Sequence, residues 1–454
     1  MSEAKTKQVR LVEAAGVELE ALLHPVTPAS FVSEYWGKKP LYVKGFRDKF
    51  KGFFDGPALT HAIANPGNAS PDHLHASFDK KGAGQAQARP KPASNEPEDV
   101  ARTFPIPPEM AGTLFDAGAT LCLTDVHARV PRLAHFVAAI KRQLGYPGRV
   151  AFAAYLSPAG AGFNWHFDGR IASTLQIEGS KRWRFSNRPA LDWPRGNGVL
   201  LSDGSARYGD SKTHPREAWE RLEPLDKKRV TEVNLEPGDL LILPAGTWHD
   251  AAGGSTGSLA LNLSFTPVSY TSLVGDLLDA LLAQNAGWRS PTPLLSVPGG
   301  APWEVDPRGL EAISTQLAAA AEALRAMSAD SAAMVKLWSA FVQNASPPIP
   351  LAPSIAGRIA EEDRFRLRAD GNVYVRDVRD VDGGTKLSVT IGSRSTEAGG
   401  PAQRFLRRAL LAKEFAAGDC LAWGEAGVRL AWGDVEQFLA HLVAEGLLER
   451  APAR

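Results

Sequence analysis

Between Val150 and Phe265 the chain turns into a succession of short runs rich in β-branched and aromatic residues: VAFAAYL, ASTLQIE, KRWRFS, VTEVN, DLLILP and SLALNLSF. Each run is long enough for one strand, and Gly-Ser and Pro-Gly-Asp turn signals stand between them. So many short strands within roughly 120 residues predict an antiparallel sandwich or barrel of the jelly-roll kind, because packing two layers or closing the sheet is how such edges are covered. The mouth of a barrel of this kind is a usual place for a ligand.

Helical patterns flank this region. Thr27 reads as an N-cap with Pro28 at the first helical position, the apolar stripe Phe31, Tyr35, Trp36 follows, Gly37 closes the helix, and the chain leads into a short strand at Leu41–Val43. The segment PRLAHFVAAIKRQLG has apolar residues at helical spacing. From about Gly67 to Pro105 the sequence, including KKGAGQAQARPKPASNEPED, has no apolar period and reads as a mobile loop or linker in which chemistry is not expected. His73 and His75 fall in that stretch and read as solvated loop residues. After Val268 three helical segments follow, TSLVGDLLDALLAQ, GLEAISTQLAAAAEALRAM and SAAMVKLWSAFVQ, and then the Pro-rich break ASPPIPLAPS. The last hundred residues alternate strand-like pieces with two amphipathic helices, the second presenting Val435, Phe438, Leu439, Leu442 and Val443 on one face, a pattern of winged-helix type. The expected fold class is therefore α+β, divided into residues 1–268 (sheet domain with N-terminal helices), 269–350 (helices) and 351–454 (winged-helix-like).

Composition narrows the function classes. The 454 residues suit two or three cores. No apolar run approaches the roughly 20 residues that cross a bilayer, and the charged N-terminus lacks the apolar core of a signal peptide, so neither membrane insertion nor export is expected. With 51 basic and 50 acidic residues the net charge is +1, so nucleic acid is not the expected partner. The two cysteines, Cys122 and Cys420, lie far apart in apolar surroundings, which points away from a disulfide framework or a thiolate metal site and fits a reducing cytoplasm.

The chemistry concentrates in FNWHFDGRIASTLQIEGSKRWRF and EPGDLLILPAGTWHD. His166 and Asp168 are two apart in a strand context and so project from one face, and a Pro-Gly-Asp turn with an apolar strand delivers His249. Two histidines and a carboxylate on one side of a metal leave positions open, the arrangement of non-haem iron(II) oxygenases. Lys181, just beyond the Gly179-Ser180 turn, begins a strand expected beside the ligand-bearing one, and an ammonium inside a barrel mouth calls for an anion such as a dicarboxylate cosubstrate. Asp250 follows His249, where it is placed to orient the imidazole or to face solvent.

At this point the chain resembles the Jumonji-C oxygenases of the cupin-4 family, which include the ribosomal oxygenases. The resemblance rests on FVSEYWGKKPLYV, GATLCLTDV, AAYLSPAG, the His166-x-Asp168 pair, LQIEGSKRWR and PGDLLILPAGTWH, and extends over roughly residues 25–268. It implies a double-stranded β-helix (cupin) fold, Fe(II) held by His166, Asp168 and His249, and 2-oxoglutarate held through its far carboxylate by Lys181. Asn262 and Ser264, two apart in one strand, are expected on the cosubstrate, with Tyr155 and Thr174 on neighbouring strands. No catalytic residue beyond the metal centre is implied. The implied activity is hydroxylation of a protein side chain, a ribosomal protein first, in a homodimer joined through the helical segment. Trp165 stands where a proline often precedes the first histidine, and Gly169-Arg170 replaces acidic residues common in eukaryotic relatives, so the substrate is what these departures put in question.

Two rival readings use the same residues. One is a metal-binding cupin that docks or assembles partners without turnover, and the other a cupin dioxygenase that does not use 2-oxoglutarate. Lys181 argues against the second, and succinate production separates the oxygenase reading from both.

Overall fold

The computed structural model describes residues 9–14, 16–65, 73–78, 102–201, 203–208, 222–283, 286–292, 307–345, 358–368, 373–379, 384–391, 394–412, 414–424 and 428–451. The chain divides into two compact units, Met1–Thr266 with Arg368–Asn372, and Pro267–Leu367 with Val373–Arg454.

The first unit is built on one large antiparallel sheet network. Its strands are β1 (Leu41–Val43), β2 (Leu74–Phe78), β3 (Arg102–Pro105), β4 (Thr120–Leu123), β5 (Arg149–Ser157), β6 (Gly162–Phe167), β7 (Ile171–Pro189), β8 (Gly198–Leu200), β9 (Ala206–Tyr208), β10 (Val230–Leu235), β11 (Leu240–Leu243) and β12 (Thr247–Thr266). The order β1-β11-β7-β12-β5-β4-β2-β3 forms one path, and β10, β6, β8 and β9 branch from it. The architecture is that of a cupin-like jelly roll, as the succession of short runs predicts.

Two of the expected turns are not turns. ASTLQIE and KRWRFS form the single strand β7, and His249 and SLALNLSF lie on the single strand β12. Gly179 at φ +65° and Gly257 at φ +81° bend these strands without ending them. The bends face each other so closely that a Cβ on Gly179 would lie 2.2 Å from the Gly257 carbonyl oxygen. Before its bend β7 pairs with β11, Leu175 opposite Leu240, and after it with β10, Lys181 opposite Leu235. Likewise β12 pairs with β6 at His249 and with β5 from Ser258 onward. Both strands therefore cross from one half of the network to the other.

Burial follows these pairings. The first half of β7 is buried on both faces, whereas beyond the bend Lys181, Trp183 and Phe185 are buried and alternate with partly exposed Arg182 and Arg184. Helices cover the β5 side: Pro131–Leu144, entered through Pro131 and capped by Gly145 at φ +60°, places Phe136 beside Phe53 and Phe152, with ring centroids 5.0 and 5.8 Å away. Removing each such ring from water contributes about 2–3 kcal/mol. Thr27 caps the N-terminal helix as expected, its Oγ1 accepting from the Ser30 amide at 3.1 Å.

The stretch from Gly67 to Pro105 departs from its expectation as loop. Leu74–Phe78 and Arg102–Pro105 pair as strands, His75 opposite Pro105, and β2 also pairs with β4, so His75 lies on an internal strand with His73 just before it, and neither belongs to a solvated loop. Their apolar positions alternate too briefly to register against the surrounding low-complexity composition. The segment KKGAGQAQARPKPASNEPED lies outside the described residues, as does ASPPIPLAPS beyond Ala345.

In the second unit, helices Tyr270–Leu282, Pro307–Ala329 and Ser331–Ala345 follow the expected segments. Arg364–Leu367 pairs between Glu414–Ala416 and Leu448–Arg450, and Val373–Arg379, Thr385–Ile391 and Arg394–Ala398 form a meander. Helices Gly400–Leu411 and Trp432–Ala444 bury Phe405, Leu406, Val435, Leu439 and Leu442 in one core, with Phe438 and Val443 packed at its margin. Among the described residues no helix is long and apolar enough to cross a membrane.

Candidate metal centre

The β6–β12 pairing sets His166 directly opposite His249. Their ring centroids are 4.2 Å apart, and β6 ends at Phe167, so that Asp168 lies one residue past the strand rather than within it. Its carboxylate nonetheless joins the two imidazoles. One donor atom from each of His166, Asp168 and His249 lies within 4.8 Å of the others, the set among the described residues that could hold a metal ion.

Hydrogen bonds define which nitrogens face the gap. His166 Nδ1 is 2.7 Å from the Asn164 carbonyl, and His249 Nδ1 is 2.8 Å from the Thr247 carbonyl. A carbonyl only accepts, so each Nδ1 must carry the proton and each Nε2 keeps a bare lone pair. This is the tautomer a metal requires, fixed by a backbone group two residues back. Asp250 does not orient His249. Its carboxylate pairs with Arg184, whose Nε donates at 2.9 Å, and Trp165 stacks on that guanidinium at 5.2 Å.

Electrostatics suit the same use. Burial, reinforced by His166, lowers His249 to about 3, so the imidazole is neutral across the physiological range. Burial alone would raise the Asp168 carboxyl, but Arg170, His166 and His249 outweigh it and hold it below its usual value. A neutral imidazole and an ionised carboxylate are the protonation states of metal ligands. The donor set therefore fits a divalent ion that accepts nitrogen and oxygen ligands and keeps open positions.

The three donors line a cavity of about 280 Å³ together with Tyr155, Thr174, Lys181 and Asn262. Thr174 stands opposite Asn262 across the β7–β12 pair. Lys181 is 3% exposed, and its Nζ faces the rings of Tyr155, Trp183 and Phe163 at 5.6, 5.8 and 5.9 Å. Among the described residues it has no hydrogen-bond or ion-pair partner, and burial lowers its amine to about 8. Ser264 is not in this wall: its hydroxyl donates to the Ala151 carbonyl at 3.3 Å.

Sequence reasoning passed over several wall residues. One is Cys122, which stands opposite the expected Tyr155 and whose thiol burial raises to about 11. Thr103 reaches the cavity from β3, inside the stretch read as linker. The short apolar run LCL in GATLCLTDV is the signal that could have found Cys122. The roles of the Asn164 and Thr247 carbonyls have no sequence signal, since any residue supplies one.

The comparisons with known proteins agree with this geometry. The family model described as JmjC domain matches residues 128–273. Over these residues the chain is similar to a JmjC domain. Outside as well as within that domain the chain is similar to the Bacillus subtilis protein YxbC, 26% identical over 56% of this chain and 73% of that one. It is also similar to human ribosomal oxygenase 1, 28% identical over 58% of this chain, and to the Drosophila grimshawi bifunctional lysine-specific demethylase and histidyl-hydroxylase NO66, 29% identical over 63%. These matches cover 36% of each of those two longer proteins. The structure of the Escherichia coli ribosomal oxygenase YcfD in complex with cobalt and succinic acid aligns over 94% of this chain and 99% of that one, with a TM-score of 0.50 and 15% identity, a likeness of fold. The JmjC match begins before β5 and ends after β12, so it encloses His166, Asp168, Lys181 and His249.

Proposed function

We propose that this chain is an Fe(II)- and 2-oxoglutarate-dependent oxygenase that hydroxylates a protein side chain, with a ribosomal protein as the first candidate. The observation that carries the reading is the buried, partnerless Lys181 ammonium in the same cavity as the His166–Asp168–His249 donor set. An isolated buried charge is costly, and a carboxylate brought in by a ligand would offset that cost. When bound, metal and cosubstrate supply the oxidation, in which 2-oxoglutarate and dioxygen yield succinate, carbon dioxide and a hydroxylated C–H position. The protein's own part is placement and shielding. His166, Asp168 and His249 would hold the ion; Lys181 would hold the far carboxylate; Tyr155, Thr174 and Asn262 would line the cosubstrate's path. Trp183 and Phe163 exclude water on the side of Lys181.

Supporting the substrate reading are the names of the relatives, ribosomal oxygenase and histidyl-hydroxylase. Ser264 has no part in the proposed cosubstrate site. We further propose that residues 269–350 join two copies of the chain. The apolar side chains of Leu310 and Leu317 on one helix and Trp338 on the next, 74, 64 and 60% exposed, support this, because large exposed apolar side chains call for a cover. Residues 351–454 are proposed as a winged-helix-like module that contacts protein, in keeping with the near-zero net charge. A reducing, cytoplasmic setting is proposed from the two free, buried cysteines.

The deciding experiment is anaerobic binding of Fe(II) and 2-oxoglutarate followed by oxygen addition, with succinate measured in wild type, Asp168→Ala and Lys181→Ala, in the presence of ribosome extract. Succinate that disappears in the Asp168 variant and needs more 2-oxoglutarate in the Lys181 variant is expected. Metal binding without 2-oxoglutarate binding would favour the cosubstrate-independent dioxygenase, and binding of both without succinate would favour a silent docking protein.

A further inference from the structure

The cavity wall holds more positive charge than the proposed chemistry uses. Among the described residues its charged side chains are Asp168, Arg170 and Lys181, one carboxylate against two cations. Asp168 is committed to the metal and Lys181 to the cosubstrate on the reading above, and a divalent ion offsets a dicarboxylate. Arg170 is then left over. Although it feels the charge of Asp168, it makes no hydrogen bond or ion pair among the described residues, and its Nε is buried without a partner. Its place is well defined, on the short turn between β6 and β7. The Gly169 amide donates to Asn197 Oδ1 at 2.9 Å, and a Cβ on Gly169 would meet the Gly196 and Pro194 carbonyls at 3.1 Å, so the turn is pressed against the segment before β8.

A guanidinium is planar, permanently charged and shaped to take a carboxylate through two parallel hydrogen bonds. A cationic substrate side chain entering this cavity would meet like charge at low dielectric. We propose that Arg170 selects the substrate, and that the group presented to the metal belongs to a carboxylate-bearing substrate, an acidic residue of a peptide, and not to an arginine or lysine. The inference rests on the oxygenase reading and refines its substrate class.

The test is calorimetric titration of the full chain loaded with Zn(II) and 2-oxoglutarate, which is redox-inert and needs no turnover. The probes are acetylated, amidated tripeptides Gly-X-Gly with X as Asp, Glu, Arg, Lys or Gln, with acetate and glutarate as free acids. Wild type, Arg170→Gln, Arg170→Lys and Lys181→Ala are compared, with thermal melts to confirm folding. The expected result is preference for X as Asp or Glu. That preference should fall by about 10- to 100-fold in Arg170→Gln, the usual loss for a charge-assisted hydrogen bond, and partly return in Arg170→Lys. In Arg170→Gln the 2-oxoglutarate affinity should stay within about twofold of wild type. Binding of the free acids alone would keep the carboxylate assignment and move the source from peptide to small molecule. Preference for the Arg peptide, no binding of any carboxylate probe, or an Arg170→Gln loss of 2-oxoglutarate binding as large as in Lys181→Ala would overturn the proposal. If wild type takes up neither Zn(II) nor 2-oxoglutarate, the oxygenase reading fails instead. The same titrations on the metal-free chain then judge Arg170 by itself, since carboxylate binding independent of Arg170 refutes it there too.

Discussion

His166 and His249 face each other across neighbouring strands, and each gives its Nδ1 proton to the carbonyl of the residue two places before it. The symmetry leaves both Nε2 atoms bare with Asp168 beside them. Replacing Asp168 or His249 by Ala is expected to weaken Co(II) or Fe(II) binding by more than about 100-fold, beyond the 10- to 100-fold typical when an outer partner of a ligand is lost. Equilibrium dialysis with metal analysis measures it. Retained metal in both variants would remove the triad from consideration.

Lys181 gives opposite predictions for stability and binding. Burial holds its amine at about 8, against 10.5 for an unburied lysine. Between those values the unfolded chain binds the extra proton, so this group makes stability rise with pH there, and its full cost is present below about 8. Lys181→Met should therefore stabilise the ligand-free protein at neutral pH, by an amount on the order of 3 kcal/mol, and flatten that rise. The same variant should lose 2-oxoglutarate binding. In wild type the affinity should fall as pH climbs past about 8, by up to tenfold per unit, while Lys181→Arg should be flat. Denaturant melts and calorimetry at pH 7, 8 and 9 test both signs.

Gly179 should tolerate nothing larger. Alanine there takes on a left-handed backbone and runs into the Gly257 carbonyl, so Gly179→Ala is expected to cost at least about 2 kcal/mol. An unchanged melting temperature would mean that the bends in β7 and β12 are not coupled.

Asp250 is expected to matter for stability and not for metal. With its side chain 12% exposed and that of Arg184 28% exposed, Asp250→Ala leaves a partly enclosed guanidinium unpaired, at a cost of roughly 1–3 kcal/mol. Metal affinity should stay within about twofold, because His249 takes its orientation from Thr247. A large loss of metal in Asp250→Ala would show that the carboxylate reaches His249 after all.

Much of this was legible in the residues themselves. Strands β5, β10 and β11 follow their apolar runs, and His166 and Asp168 come together as their i, i+2 spacing suggests, while His249 joins them from the strand that follows the Pro-Gly-Asp turn and β11. Glycine was the chief source of error. At Gly179 and near Gly257 it permits a bend within one strand, and local sequence cannot separate that from a turn between two. The pair β2 and β3 was hidden because its partners are distant in sequence and its surroundings are of low complexity. Ser264 shares a face with Asn262, as its spacing says, yet falls beyond the cavity, since a face is longer than the site on it. Which backbone carbonyl meets an imidazole, and that Asp250 turns to Arg184, depend on side-chain directions that only the assembled sheet fixes.

Because β7 and β12 each run through both halves of the network, Lys181 and His249, which line the same cavity, are supplied by strands lying side by side yet separated in the chain by β8 to β11. As the chain leaves the ribosome, β6 and β7 emerge early, but their partner β12 comes last in this sheet. Until Thr266 is clear, His166 and Lys181 stand in an open-edged fragment with no second imidazole opposite His166. A nascent chain would thus acquire metal and carboxylate affinity together, at a single late moment of synthesis, and a truncation anywhere before β12 would yield a protein with neither.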